Sequence, residues 1–200
     1  MWSAEDIGKW LQGYTGERVL APPGLPRAAV ALILRDGPSG GEFVAVHRAH
    51  REGDPWSGHM ALPGGRQQPG DATLVQTATR ETREEIGIDL DRCGRPIAEL
   101  DELRAVGRGR LLDLIIRPVL FVLVQPVKLV PNPAEVQSAF WIPLAALQVH
   151  PHERQAGDRP PSFEFNGYTI WGLTHRILSR FLETIERLDG TRSAAPRGAR

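Results

Sequence analysis

Residues 62–88 constrain what this chain can fold into more than any other stretch, because a glycine-rich loop leads directly into an amphipathic helix. The loop contains two prolines and three glycines, Gly64, Gly65 and Gly70. From Asp71 to Glu85 there is neither glycine nor proline. Asp71 is a good N-cap residue and Gly87 a good C-terminal stop, so a helix is predicted between them.

The predicted helix has an apolar stripe and a separate acidic side. The stripe recurs every four residues and consists of Leu74, Ala78, Thr82 and Ile86, with Val75 beside them. Glu81, Glu84 and Glu85 are spaced i, i+3 and i+4, so their carboxylates share a different side. A solvated charged face is one interpretation. The adjoining glycine loop favours another, a site for a hard cation such as Mg²⁺, which takes oxygen ligands.

This stretch resembles the signature of the Nudix hydrolases. That signature is a glycine, five residues, a glutamate, seven residues, and then Arg-Glu-apolar-any-Glu-Glu-any-Gly-apolar. Residues 80–88 (RETREEIGI) match its second half, with Thr82 in place of an apolar residue. In the first half, Asp71 replaces the glutamate and eight residues separate it from Arg80. The longer spacing is similar to that of the coenzyme A diphosphatase branch of the family.

The resemblance implies a site for Mg²⁺ or Mn²⁺ at the acidic side of the helix. The ligands it implies are three carboxylates and a backbone carbonyl: Glu81, Glu84, Glu85 and Gly64 or Gly65. The ions would neutralise phosphate charge and activate a water for in-line attack. Glu81 would take the proton from that water, Glu84 and Glu85 would be the firmest ligands, and Arg80 would orient a neighbouring carboxylate.

Another metal ligand is predicted downstream of the helix. In this family a glutamate ahead of a Trp/Phe-apolar-Pro-Leu strand often approaches the metals. Glu135 is the best positional match, six residues before Trp141. The alternative is a loop carboxylate that binds backbone groups or an arginine. His150 and His152 are a weaker metal candidate, because no third ligand lies near them in the sequence.

The polar segment before the glycine loop is a candidate for substrate binding. Arg48, His50 and Arg51 could contact a diphosphate, and Trp56 could stack on a base. The resemblance adds Gly64, where the backbone approaches the substrate. A solvated loop is the alternative interpretation for each of these side chains.

The remaining elements predict an α/β protein. Strands are predicted over 27–35, 42–48, 96–106 and 111–124, and a hairpin over 163–170. Helices are predicted over 3–14 and 171–188. Pro118 suggests a bulge or an edge in the longest strand. The resemblance implies a Nudix-type α/β/α sandwich, in which a central mixed sheet lies between the signature helix and the C-terminal helix. The domain is expected over 27–189, after an N-terminal helix and linker (1–26) and before a flexible tail (190–200).

Composition narrows the class of protein. A chain of 200 residues with 41% hydrophobic content suits one sizeable core. Lys plus Arg and Asp plus Glu both number 24, so no net field attracts nucleic acid or an acidic membrane. No apolar run approaches the ~20 residues of a membrane span, and the first residues lack a secretory pattern. With a single cysteine, Cys93, the chain is expected to be cytoplasmic.

The resemblance implies hydrolysis of a nucleoside diphosphate linked to a second group. Coenzyme A or an acyl derivative is the leading substrate, because of the Asp71 spacing and because residues 168–175 (YTIWGLTH) resemble the same branch. ADP-ribose or a nucleotide sugar is the runner-up. A non-catalytic nucleotide sensor would use the same pocket, although it would not need three intact glutamates. A structural module is the weakest alternative, with the N-terminal helix and tail as segments that could form a homodimer.

Overall fold

The computed structural model describes residues 2–107, 110–147 and 160–194, which form a layered α/β structure. The helices are α1 (Ala4–Leu11), α2 (Leu74–Ile86), α3 (Leu90–Cys93) and α4 (Gly172–Ala194), with a 3₁₀ turn at Leu144–Leu147. The strands are β1 (Arg27–Gly37), β2 (Gly40–Arg48), β3 (Met60–Ala61), β4 (Gly64–Arg66), β5 (Gly94–Glu99), β6 (Leu103–Gly107), β7 (Arg110–Leu123), β8 (Val136–Pro143), β9 (Ser162–Phe165) and β10 (Tyr168–Trp171).

The main sheet is mixed and has β1 at its centre. Its order is β3-β2-β1-β7-β5, with β4 also pairing β1, β6 pairing β7 and β8 pairing β2. The pair of β1 and β7 is parallel, and the other pairs of the sheet are antiparallel. Strands β9 and β10 form the predicted hairpin, whose turn residues Asn166 and Gly167 have φ of 47° and 81°.

Side chains of β1 alternate between two apolar cores, as the period of a strand requires. Ala31 and Ile33 pack in one core with the apolar stripe of α2. Leu32 and Leu34 pack in the other, with the buried faces of α1 and α4. The sheet is therefore the middle layer of an α/β/α sandwich, which confirms the predicted fold class.

Helix α2 begins later than predicted but ends as predicted. Its N-cap is Thr73, not Asp71: the Thr73 hydroxyl accepts from the Gln76 N–H, and the Gln76 side chain accepts from the Thr73 N–H. This reciprocal capping box satisfies two of the unpaired N–H groups of the first turn. At the other end Gly87 adopts φ of 71° and its N–H donates to the carbonyl of Arg83.

The predicted single strand over 96–106 is wrong. Strands β5 and β6 are separate, and both pair with β7 on either side of a break at 100–102. Pro118 falls at that break, between Ile116, which pairs with β6, and Val119, which pairs with β5. A central strand can therefore hold a proline where one antiparallel partner ends and the next begins.

Helix α4 carries the predicted apolar stripe, with Ile177, Phe181 and Ile185 buried. It continues to Ala194, so the first part of the stretch predicted as a flexible tail is helical. Residues 195–200 and residues 148–159, which include His150 and His152, lie outside the described residues. Within the described ranges, no helix has the length and apolar character needed to cross a membrane.

Candidate active site

Three glutamate side chains converge beside the sheet. Glu81 and Glu85 lie one turn apart on α2, and Glu135 belongs to the loop that leads into β8. One carboxylate oxygen from each lies within 4.8 Å of the others. Like charges this close disfavour ionisation unless a cation lies among them. An all-oxygen donor set of this kind fits Mg²⁺ or Mn²⁺.

Backbone hydrogen bonds fix Glu135 next to the end of α2. The Asn132 N–H donates to the carbonyl of Glu85 at 2.8 Å, and the Glu135 N–H donates to the carbonyl of Asn132 at 2.9 Å. On the other side, the Ala49 N–H donates to the carbonyl of Glu135 at 2.8 Å. The pairing of β2 with β8 therefore brings Glu135, which is 50 positions after Glu85 in the sequence, next to α2.

Glu85 is the most deeply buried member of the cluster, with 3% of its side chain exposed. Its Oε2 accepts a hydrogen bond from the Gly64 N–H at 3.0 Å, and its Oε1 lies 3.7 Å from Arg48 Nη1. Burial raises the pKa of Glu85 to about 8, against the opposing effects of the Gly64 N–H and Arg48. At pH 7 the side chain is therefore mostly protonated unless a cation lies beside it.

The glycine turn approaches both β1 and the carboxylates too closely for side chains. Gly64 has φ of +155°, and a Cβ there would lie 2.2 Å from the carbonyl oxygen of Ala29. A Cβ on Gly65 would lie 2.5 Å from the carboxyl group of Glu81. Gly64 thus requires glycine, whereas a side chain at Gly65 would displace the Glu81 carboxylate. The predicted use of a Gly64 or Gly65 carbonyl as a metal ligand stays a prediction.

Gly64→Ala is expected to lower the free energy of unfolding by more than about 2 kcal/mol, because the added Cβ would strain the backbone and collide with β1. Gly70→Ala is the matched control, since a Cβ at that position meets no atom within 4 Å. Urea unfolding followed by circular dichroism measures both variants. Equal stabilities would mean that the turn can move away from β1 without cost.

Arg80 connects the start of α2 to the carboxylate cluster. Its Nε and Nη2 donate to the two carboxylate oxygens of Asp71 at 3.0 and 2.9 Å, and its Nη1 donates to Glu81 at 2.8 Å. The Arg80 guanidinium lowers the pKa of Asp71 to about 2. Asp71 thus anchors the arginine instead of capping the helix. The Glu81 contact is the one required of an arginine that orients a neighbouring carboxylate.

Glu84 lies outside the carboxylate cluster. Its side chain is 49% exposed and accepts a hydrogen bond from Arg80 at 3.0 Å. Successive residues of an α-helix are about 100° apart, so Glu84 and Glu85 flank Glu81 on opposite sides. The cavity lies on the side of Glu85. The position of Glu84 therefore gives no support to its predicted role as a metal ligand.

A cavity of about 430 Å³ opens beside the cluster. Four of the five residues predicted to bind substrate line it, Arg48, Arg51, Trp56 and Gly64, whereas His50 does not. The Arg48 guanidinium donates to Asp54 at 2.7 Å. Arg51 donates to the carbonyl of Ala134 at 2.8 Å and lies 3.8 Å from Glu135. Two cationic side chains therefore stand next to the carboxylates.

Several lining residues were not predicted as site residues: Asp54, His59, Trp171, Leu173 and Thr174. Asp54 and His59 belong to the polar segment before the glycine loop, so their sequence position offered a signal. The last three belong to the stretch 168–175, which resembles the coenzyme A diphosphatase branch but for which the sequence predicts no role in the site. Their proximity to the cluster depends on tertiary packing.

A sequence model of the NUDIX domain matches residues 25–165 of this chain. The chain belongs to the Nudix hydrolase family. Nudix hydrolase 15, mitochondrial, of Arabidopsis thaliana is 30% identical over 174 residues, which cover 77% of this chain and 56% of the relative. The mitochondrial coenzyme A diphosphatase NUDT8 of Homo sapiens is 32% identical over 145 residues, which cover 64% and 56%. The chain thus spans just over half the length of these two Nudix relatives.

A solved structure supports the assignment of the Nudix fold. The MutT protein from Methanosarcina mazei Go1 superposes with a TM-score of 0.55 and 17% sequence identity. The match covers 86% of this chain and 97% of that protein. The likeness concerns the fold alone.

Proposed function

We propose that this Nudix protein hydrolyses the phosphoanhydride bond of a nucleoside diphosphate joined to a second group. The observation that carries the proposal is the convergence of Glu81, Glu85 and Glu135 beside two arginines in one cavity. A diphosphate brings several negative charges into this space. It needs both cationic side chains and a cation held by the carboxylates.

The residues of the site take distinct roles in this proposal. Glu81, Glu85 and Glu135 would hold Mg²⁺ or Mn²⁺, which when bound supplies charge neutralisation and Lewis acidity at the diphosphate. Arg48 and Arg51 bind phosphate oxygens through charge-assisted hydrogen bonds.

The proton released by the attacking water moves to the carboxylate of Glu81. Arg80 keeps that carboxylate oriented through its 2.8 Å hydrogen bond and is itself held by Asp71. The glycine turn lets the substrate approach the backbone at Gly64, where a side chain would obstruct it. The half-exposed Glu84 acts only through Arg80.

Coenzyme A or an acyl derivative is the substrate that we propose. The name of the human relative, the spacing between Asp71 and Arg80 and the apolar part of the cavity all support it. Hydrolysis adds one water across the diphosphate, so coenzyme A yields 4′-phosphopantetheine and adenosine 3′,5′-bisphosphate.

The purified protein with Mg²⁺ or Mn²⁺ is expected to cleave coenzyme A at least about tenfold more efficiently than ADP-ribose, because an apolar wall discriminates against hydroxyl groups. Chromatography of the products gives kcat/KM for each substrate. A preference for ADP-ribose would select the runner-up substrate. Tight binding of nucleotides without turnover would favour the sensor.

A further inference from the structure

The lining of the cavity contains charged side chains and, from two other regions of the chain, a group of uncharged side chains. Among the described residues, its charged lining side chains belong to β2, the loop after it, β4, α2 and the loop before β8. Strand β7 and residues 171–177 contribute lining residues without charge: Leu114, Ile116, Trp171, Leu173, Thr174 and Ile177. These last four residues lie beyond the segment 25–165 that matches the family.

Contacts on both sides fix the C-terminal part of this wall against the loop before the glycine turn. The buried Thr174 hydroxyl donates to the carbonyl of Met60 at 3.1 Å. The His59 and Trp171 rings pack with centroids 4.6 Å apart. The wall is therefore held in place relative to the carboxylates, although its residues are about 90 positions away from α2 in the sequence.

The polar groups of the wall are already engaged or neutral. Thr174 uses its hydroxyl proton on Met60, and burial lowers the pKa of His59 and so favours its neutral ring. The side chains of Leu114, Ile116, Leu173 and Ile177 offer no hydrogen-bond partner to a sugar hydroxyl, so packing a sugar against them is costly. An aliphatic chain would lose no hydrogen bond and would gain contact with Leu173.

We propose that Leu173 and Trp171 are specificity-determining residues that hold an aliphatic acyl arm carried by the second group of the substrate. This assignment rests on the proposed function and deepens it. Strand β10 and helix α4 then select the substrate, while the carboxylates of the segment 25–165 perform the hydrolysis.

The test compares wild type with Leu173→Asn, which keeps the side-chain size and removes the apolar contact. Substrates are coenzyme A and its acetyl, butyryl and hexanoyl thioesters. KM of the wild type is expected to fall roughly twofold for each methylene added to the acyl chain. This is less than the full free energy of transferring a methylene from water to an apolar site would give. In the variant KM for the hexanoyl thioester rises about tenfold and the dependence on chain length disappears, with kcat unchanged within about twofold. Arg176→Ala, an exposed position on the same helix that does not line the cavity, is the control and behaves as wild type.

Binding without turnover separates this proposal from the proposed hydrolysis. Calorimetry with S-hexanoyl-4′-phosphopantetheine, in the absence of metal, is expected to show the same tenfold weakening in Leu173→Asn. If no substrate is cleaved but this difference persists, hydrolysis is refuted and the apolar arm site stands. If cleavage occurs with no chain-length dependence, or the variant changes kcat instead of KM, the assignment of Leu173 is overturned. Trp171→Ala, at a 40% exposed position, gives the same comparison should Leu173→Asn unfold.

Discussion

Glu85→Gln is expected to lower kcat/KM for coenzyme A by on the order of 10³-fold, the largest effect of any single substitution in the site. Glutamine has nearly the same shape, and its amide oxygen can keep the hydrogen bond from the Gly64 N–H. It removes the negative charge at the centre of the carboxylate cluster. Because Glu85 is almost fully buried, solvent cannot compensate for the loss of that charge.

Glu84→Gln is the matched comparison on the neighbouring residue. It is expected to cost less than about tenfold, because Glu84 is half exposed and reaches the cluster only through Arg80. Steady-state kinetics at saturating Mn²⁺ give kcat/KM for each variant. Electron paramagnetic resonance gives the dissociation constant of each variant for Mn²⁺. An equal loss in the two variants would contradict the proposed ligand set of Glu81, Glu85 and Glu135.

Short-range features of this fold could be predicted from the sequence, because they depend on neighbouring residues. The apolar stripe of α2, its end at Gly87 and the Asn166-Gly167 hairpin all follow from local periodicity and turn chemistry. The predicted start of α2 is wrong because Asp71 and Thr73 are both good N-cap residues and lie two positions apart. The pair Thr73 and Gln76 carried the decisive signal, a capping box.

Features that depend on contacts between distant parts of the chain could be predicted from the sequence only in part. The position of Glu135 beside α2 depends on the pairing of β2 with β8, which no local pattern specifies, so its prediction required the family resemblance. The spacing of the acids predicted a shared acidic side, and the resemblance implied that all three bind the metal, although a 100° step per residue turns Glu84 away from the cavity. The wall formed by Trp171 and Leu173 has no local signature, because apolar residues at helical spacing also build an ordinary core.

The free energy of unfolding of the cation-free protein is expected to depend on pH through Glu85. Its pKa is about 4.5 when unfolded and about 8 in the folded protein, so folding favours the protonated form. The stabilisation is fully present below pH 4.5 and is lost as the pH rises through 8. Between pH 6 and pH 8 this loss amounts to about 2 kcal/mol, since one proton contributes roughly 1.4 kcal/mol per pH unit.

Glu85→Gln isolates this contribution. Burial lowers the pKa of His59 and His175, which makes stability rise with pH near neutrality, but that effect is the same in both proteins. Urea unfolding in EDTA at pH 6 and pH 8 is therefore expected to show a variant that gains about 2 kcal/mol relative to wild type at the higher pH. Parallel pH dependences would show that Glu85 ionises normally.

Adding Mn²⁺ at pH 8 is expected to raise the free energy of unfolding of wild type but not that of Glu85→Gln. At a hundredfold excess over its dissociation constant, a ligand specific for the folded state adds about 2.7 kcal/mol. Wild type gains this stabilisation and the variant does not, because the variant lacks the charge that the cation neutralises. At pH 6 the cation must displace the Glu85 proton, so the gain of wild type is smaller there. The same burial that destabilises the empty carboxylate cluster thus makes its stability responsive to a divalent cation.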